Sequence, residues 1–357
     1  MTRIAFYAPL KAPTHATPSG DREFGRNLMQ MMQTTGAEIT LVSDLRLLDR
    51  RGDAAVQEQL TEAAQAETAR LIRDMPPTDL WVTYHNYYKA PDLIGPAVCA
   101  ARGIPYVQIE STRAKKRLGG PWDRFARAAH DACDAANLVF YLTEQDHFAL
   151  NRDRPEGQRN AALPPFLPRA DLPKQATQCG PILSVGMMRD GDKLASYQVI
   201  AETLRHMDGD WHLQIAGDGP ARAQVETLMA PFAARVHFLG QLNRAALEQV
   251  YADASVFLWP GVNEAFGMVF LEAQAAGLPV AAQDRPGVRD VLAPGAYPDP
   301  AEGGAGLAQL LDTLIRDKAR WPDHSARVRR YVKDQHLISS AARAFETAIA
   351  PLLENTQ

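Results

Sequence analysis

The stretch from Phe257 to Arg289 constrains the fold of this chain more than any other. The apolar run Val256 to Trp259 ends at Pro260-Gly261, and a helix is expected over Met268 to Ala276. Gly277 supplies a left-handed stop, and Pro279 to Ala282 resumes as a buried strand. Strand, helix and strand in that order form a βαβ unit, which requires a parallel sheet. Ligands of such sheets bind beyond the carboxyl ends of the strands, here at the loop carrying Asn263, Glu264, Ala265, Phe266 and Gly267. Glu264 is therefore expected at a ligand. From Ala265 to Ala282 the only polar side chains are Glu272 and Gln274, so the helix is apolar nearly all round and a carboxylate on it needs partners. One wet stripe of the helix would supply them, and so would the hydroxyl groups of a ligand. The first amides of the helix, near Gly267 and Met268, suit a phosphate or another electron-rich group.

The rest of the chain alternates in the same way. Strands are expected at Ile4 to Tyr7, Ile39 to Val42, Leu80 to Tyr84, Pro105 to Ile109 and Leu138 to Leu142, with a turn at Pro18 to Asp21 and helices over Phe24 to Thr34 and Ala54 to Arg73. The third strand runs out into His85, Asn86, Tyr87 and Tyr88, and the fourth into Glu110-Ser111-Thr112. Residues Arg152 to Gln178, rich in Pro, Arg and small polar residues, read as a domain boundary. The alternation then restarts with a strand at Pro181 to Val185, a helix at Ala195 to Met207 and a strand at His212 to Ala216. A tight turn, Gly217-Asp218-Gly219-Pro220, leads into the helix Ala221 to Leu228, followed by the strand Val236 to Leu239 and the helix Arg244 to Tyr251. A length of 357 residues suits two such domains.

Several function classes lose support at this level. A net charge of -4 gives no global reason to expect nucleic acid. The three cysteines, Cys99, Cys133 and Cys179, suggest neither a disulfide frame nor a zinc site, and the cytoplasm is the natural compartment. The opening run MTRIAFYAPL is too short for a signal sequence and reads as a strand, and no window approaches the ~20 apolar residues of a membrane helix. The cluster Arg113, Lys115, Lys116 and Arg117 beside Trp122 could touch anionic headgroups on the cytoplasmic membrane face, although solvated surface charge is the commoner explanation. The first strand lacks the G-x-G-x-x-G of a dinucleotide site, Gly217-Asp218-Gly219-Pro220 lacks the third glycine, and no phosphate loop of the ATPase type is present.

The second half resembles the retaining glycosyltransferases of family 4, the group 1 glycosyl transferases. The resemblance runs through Ile182 to Gly186 with Lys193, Leu213 to Pro220, Val236 to Gly240, Tyr251 to Pro260 and Glu264 to Pro279. Its hallmark is Glu264, seven intervening residues and Glu272, followed by Ala273, Gly277, Pro279 and Val280. The resemblance implies an α/β fold of the GT-B type, with two Rossmann-like doubly wound parallel-sheet domains facing across a cleft. Expected bounds are an acceptor-side domain at 1–170, a donor domain at 171–325, and a helical segment at 326–357 that returns to the N-terminal domain.

Carried over residue by residue, the resemblance assigns the donor sugar to Glu264, sugar hydroxyls and diphosphate to the amides of Phe266, Gly267 and Met268, and the ribose to Glu272. A carboxylate facing vicinal hydroxyls gains charge-assisted hydrogen bonds, whereas one beside a diphosphate is repelled, so this division is physically consistent. Gly186 opens the loop expected to carry the diphosphate cations Arg189 and Lys193, although the family commonly has Arg where this chain has Met187. Gly20 stands at the place of the family's glycine-rich loop. Glu110 occupies the place of a usual histidine, for which His85 could substitute. The implied reaction moves a hexosyl unit from a UDP- or GDP-sugar to an acceptor hydroxyl with retention. The nucleotide sugar is a co-substrate, and no cofactor or metal is expected. The acceptor, whether a glycan, a lipid-linked sugar or a small molecule, is not specified. A nucleotide-sugar epimerase, a phosphorylase-like enzyme and a non-catalytic binding or scaffold protein are the alternatives.

Overall fold

The computed structural model describes residues 1–17 and 19–354, so Pro18 of the expected turn lies outside the described residues. The chain divides into two compact units. The first takes Met1–Pro164 and, from the far end of the chain, the segment from Ile338 onward; the second is Pro165–Leu337.

The first unit is built on a parallel sheet of β1 (Arg3–Tyr7), β2 (Glu38–Ser43), β3 (Leu80–Asn86), β4 (Tyr106–Ser111), β5 (Leu138–Tyr141) and β6 (Arg159–Ala162), in the order β2-β1-β3-β4-β5-β6. Its helices are α1 (Gly20–Thr34), α2 (Ala54–Asp74), α3 (Gly95–Arg102), α4 (Asp123–Ala135) and α5 (Glu144–Arg152). Ile4 to Tyr7 of β1 are all buried, as expected for a central parallel strand covered on both faces. Local side chains start several helices. Ser19, in extended backbone, caps α1 by accepting from the Arg22 amide, and Asp53 caps α2 by accepting from Ala55 and Val56. The Ser19 cap brings Gly20 and Asp21 into the first turn of α1, where the sequence suggested a turn.

The second unit has a parallel sheet of β7 (Ile182–Val185), β8 (Leu213–Ala216), β9 (Val236–Gly240), β10 (Val256–Leu258) and β11 (Val280–Ala281), ordered β11-β10-β7-β8-β9. Around it lie α6 (Asp192–Arg205), α7 (Arg222–Met229), α8 (Arg244–Asp253), α9 (Met268–Ala275), α10 (Gly303–Arg316) and α11 (Trp321–Gln335). α6 begins at Asp192, so Lys193 sits in a helical first turn and not in the preceding loop. Gly277 has φ 84°, the left-handed stop expected from the sequence.

The helical tail is two helices, not one. α11 packs on α9, whereas α12 (Ile338–Glu354) packs on α1. Phe345 of α12 is fully buried and stacks on Phe140 at 5.4 Å, and Arg159 of the edge strand β6 donates to the Ala348 carbonyl at 3.1 Å.

The basic cluster 113–117 is not the uniform surface patch that its sequence suggests. Arg113 is buried and paired with Asp134 at 2.5 Å, Lys115 pairs with Asp153 at 2.7 Å, and the Arg117 guanidinium lies over the rings of Tyr88 and Trp122. Lys116 is left exposed. Among the described residues no helix is long and apolar enough to cross a membrane.

Candidate functional site

In the second unit three of the candidate residues gather around one indole. Trp259 follows β10, is fully buried, and donates from Nε1 to Glu264 at 3.0 Å. Lys193 forms an ion pair with the same carboxylate, and its ammonium sits 5.4 Å from the Trp259 ring centroid. A lysine in the first turn of a helix opposes the helix dipole, and Glu264 offsets that cost. Gly186, just past β7, presses on the other side of the indole: a Cβ there would lie 2.5 Å from the Trp259 ring. Its amide donates to the Ala216 carbonyl at 3.0 Å, and its own carbonyl accepts from Tyr197 at 2.8 Å. Glu264, Lys193 and Gly186 are thus brought together. Arg189 lies in the same loop but is exposed and forms no ion pair among the described residues.

Helix α9 begins with Gly267 as a left-handed N-cap at φ 78°, ψ 87°. No side chain caps this end, so the first amides of the helix lack intrahelical acceptors. Phe266 and Met268 flank the glycine, both half-buried. A Cβ at Gly267 would stand 2.8 Å from the Phe270 ring, in a backbone region that L residues resist. Gly267→Ala is therefore expected to cost about 1–3 kcal/mol, read as a lower midpoint in urea unfolding with unchanged slope.

The two polar residues of α9 have different environments. Gln274 is fully buried and satisfied: its amide donates to the carbonyls of Phe270 at 3.0 Å and Val291 at 2.7 Å, and its oxygen accepts from the Ala293 amide at 2.7 Å. This is a structural role. Among the described residues Glu272 has one hydrogen bond, accepted from the Tyr251 hydroxyl at 3.0 Å. Desolvation raises its carboxyl to about 6, with Tyr251 and then Arg244 opposing the rise and Glu248 adding to it. A half-satisfied carboxylate has capacity for further donors.

The remaining candidates belong to the first unit. His85 and Glu110 sit at matching places in the neighbouring strands β3 and β4. Both have left-handed backbone, at φ 64° and 58°, and the sheet register resumes on either side of them, from Tyr84 opposite Ile109 to Asn86 opposite Ser111. Two such kinks side by side, in residues other than glycine, are costly and characteristic of functional positions. His85 Nδ1 lies 3.9 Å from Glu110 and 3.3 Å from Asp21 of α1. Burial pulls the imidazole down, but Glu110 and Asp21 together carry it above its ordinary value. Burial pushes the Glu110 carboxyl up, with His85 opposing. Asp21→Asn should lower the His85 titration midpoint, followed by NMR of the imidazole carbons. An unchanged midpoint would show that Asp21 does not govern the protonation of His85. Gly20, beside Asp21, has open space where a Cβ would stand.

Three contributors escape a reading of motifs. Trp259 and Tyr251 lie within elements the sequence marks as apolar strand and helix, and their polar tips find carboxylates only in three dimensions. Asp21 acts through a strand distant in sequence. Among the described residues no group of three or more His, Cys, Asp or Glu side chains is arranged to hold a metal ion.

Residues 181–317 match the family model of glycosyl transferases group 1. A GDP-mannose-dependent alpha-mannosyltransferase of Mycolicibacterium smegmatis is 44% identical over 85 residues, 24% of this chain and 22% of the relative. A phosphatidyl-myo-inositol mannosyltransferase of Mycobacterium leprae is 34% identical over 146 residues, 39% of this chain and 38% of the relative. The matches therefore span less than two fifths of these curated relatives. In structure, a sucrose-phosphate synthase from Thermosynechococcus elongatus aligns with TM-score 0.74 at 16% identity, covering 99% of this chain and 100% of the other. Anabaena HepE, solved in complex with UDP, aligns with TM-score 0.73 at 14% identity, covering 98% and 100%. These neighbours give the fold as GT-B. The family match covers β7 to α10 and with them Gly186, Lys193, Glu264 and Glu272, so the likeness to group 1 glycosyltransferases is a likeness of the second unit.

Proposed function

We propose that the chain transfers a hexosyl unit from a UDP- or GDP-sugar to an acceptor hydroxyl, with retention and without a metal ion. The observation that carries this reading is Glu272, a half-buried carboxylate with one protein partner among the described residues, on a helix whose only other polar side chain is Gln274. The vicinal hydroxyls of a ribose supply the donors it lacks. The start of α9 offers amides to the anionic part of the same ligand. A diphosphate draws Lys193 away from Glu264, with Arg189 as a second cation, and the carboxylate of Glu264 is then released to accept hydroxyls of the donor sugar. The names of the relatives, one GDP-mannose-dependent and one structural neighbour bound to UDP, support a nucleoside-diphosphate donor.

In this mechanism no protein nucleophile is required. The donor's own phosphate oxygen assists removal of the acceptor proton, while Lys193, Arg189 and the helix amides stabilise charge on the departing diphosphate. His85 and Glu110 are proposed to act on the acceptor side. The test is a panel of UDP-, GDP- and ADP-sugars, with binding measured by calorimetry and products by NMR. One donor should bind selectively, and the product should keep the donor's anomeric configuration. Turnover of the donor without an acceptor, or binding without turnover on any acceptor, would replace this reading by an epimerase-like or a non-catalytic one.

A further inference from the structure

Four cations of the first unit, three in loops after its strands and one in a helix start, have no counter-ion among the described residues. They are Lys11, after β1; Arg46 and Arg50, after β2; and Arg22, in the first turn of α1. Other arginines of this unit do find carboxylates, among them Arg3 with Asp79, Arg70 with Glu67, Arg124 with Glu58, and Arg127 with Asp123. None of the four is in an ion pair among the described residues. Lys11 is only 9% exposed, and the Nε of Arg22 is buried without an acceptor. Such groups are costly to leave unpaired.

Hydrogen bonds hold these loops together. Arg46 donates from Nε to the Leu10 carbonyl at 2.8 Å, next to Lys11, and Leu47 donates its amide to Pro9 at 2.9 Å. Burial and then Arg46, with Arg22 and Arg50, hold the Lys11 ammonium below its usual range, while Asp21 opposes. Nearby carboxylates are engaged elsewhere. Asp21 faces His85, and Asp44 accepts from Thr14. Asp49 accepts from the amides of Arg51, Gly52 and Asp53 and from Gln57. The cluster therefore keeps a surplus of positive charge on a preformed frame, close to the first turn of the 15-residue helix α1.

We infer that Lys11, Arg22, Arg46 and Arg50 bind a phosphoryl group, and that this group is carried by the acceptor. The inference rests on the glycosyl-transfer reading for the word acceptor, but the anion site stands on the first unit alone. A phosphoryl dianion matches the surplus charge, and guanidinium groups suit its oxygens in paired hydrogen bonds. The same chemistry could come from the donor's diphosphate, so the experiment separates the two sources.

The full chain is titrated calorimetrically with inorganic phosphate, glucose 6-phosphate, glucose, UDP and GDP. Glucose 6-phosphate should bind at least about tenfold more tightly than glucose, and phosphate alone should bind measurably. Lys11→Gln and Arg46→Gln should each weaken both phosphate ligands about tenfold and leave nucleotide affinity unchanged. The exposed Arg50→Gln, which has no packing role to lose, should weaken phosphate binding in the same direction and guards against loss by misfolding. Absence of phosphate binding, or variants that keep it, overturns the inference. Loss of UDP or GDP affinity in these variants also overturns it, by assigning the cations to the donor. The reading of Glu272 is tested independently by nucleotide binding, so failure of one does not mimic failure of the other.

Discussion

Glu264→Gln is expected to lower kcat by about 10²–10³-fold, the cost typical of removing one charged group aimed at a developing charge. The change is nearly isosteric, and the side-chain oxygen of glutamine still accepts from the Trp259 indole, so the fold should persist. What disappears is the negative charge that Lys193 neutralises. Two consequences separate this role from a structural one. Affinity for UDP or GDP alone should hold or increase, because Lys193 is no longer tied to a carboxylate. Transfer should nevertheless fail, because the sugar loses its strongest hydrogen-bond acceptor. The measurement is steady-state kinetics with a parallel nucleotide titration. A variant with normal kcat and raised KM would assign Glu264 to uniform substrate binding, and one with collapsed thermal stability would assign it to the fold.

The second large effect concerns Glu272. Glu272→Ala should weaken nucleotide binding by about tenfold to a hundredfold, the loss of one or two hydrogen bonds to a charged acceptor. The sign of the pH dependence follows from its raised carboxyl. With a folded value of about 6 against an ordinary 4.5, the protonated form is favoured by the fold. Its contribution to stability is fully present below the ordinary value and is lost as pH rises through about 6. On the proposed reading, ribose hydroxyls act in the opposite sense, because they would donate to the ionised form. Nucleotide affinity should therefore be flat above about pH 7 and decline on acidification through 6, approaching tenfold per pH unit. Glu272→Gln should remove that slope. Calorimetry from pH 5 to 8 checks both, and a slope surviving in the glutamine variant would place the titrating group elsewhere.

Local patterns announced some of these features and not others. Phe257 to Arg289 could be read because a buried βαβ unit requires apolar runs at both strands, a glycine stop and a helix with almost no polar side chains, so Glu264 and Glu272 stand out against it. β6 could not be read in this way. Arg-Asn-Ala-Ala at Arg159–Ala162 has no alternation, and as an edge strand it is held by pairing with β5 and not by burial of its own side chains. Arg113 misleads for the reverse reason: it stands in a run of cations that reads as surface, but its own partner, Asp134, comes from a separate helix and buries it. The kinks at His85 and Glu110 have no signal in residue type, since neither is glycine, and only the paired strands show that they coincide.

The return of α12 to the first unit also bears on how the chain is made. Ribosomal synthesis delivers residues in order, so the first sheet can form early while the surface that Phe345 covers against Phe140 stays uncovered. The second unit lies wholly between, and all of it emerges before that helix does. Although it is encoded later, it can reach its final packing first. The earlier-encoded unit completes its core only when the chain beyond Ile338 is released, and in the interval its exposed apolar face is where a chaperone would bind or aggregation would begin.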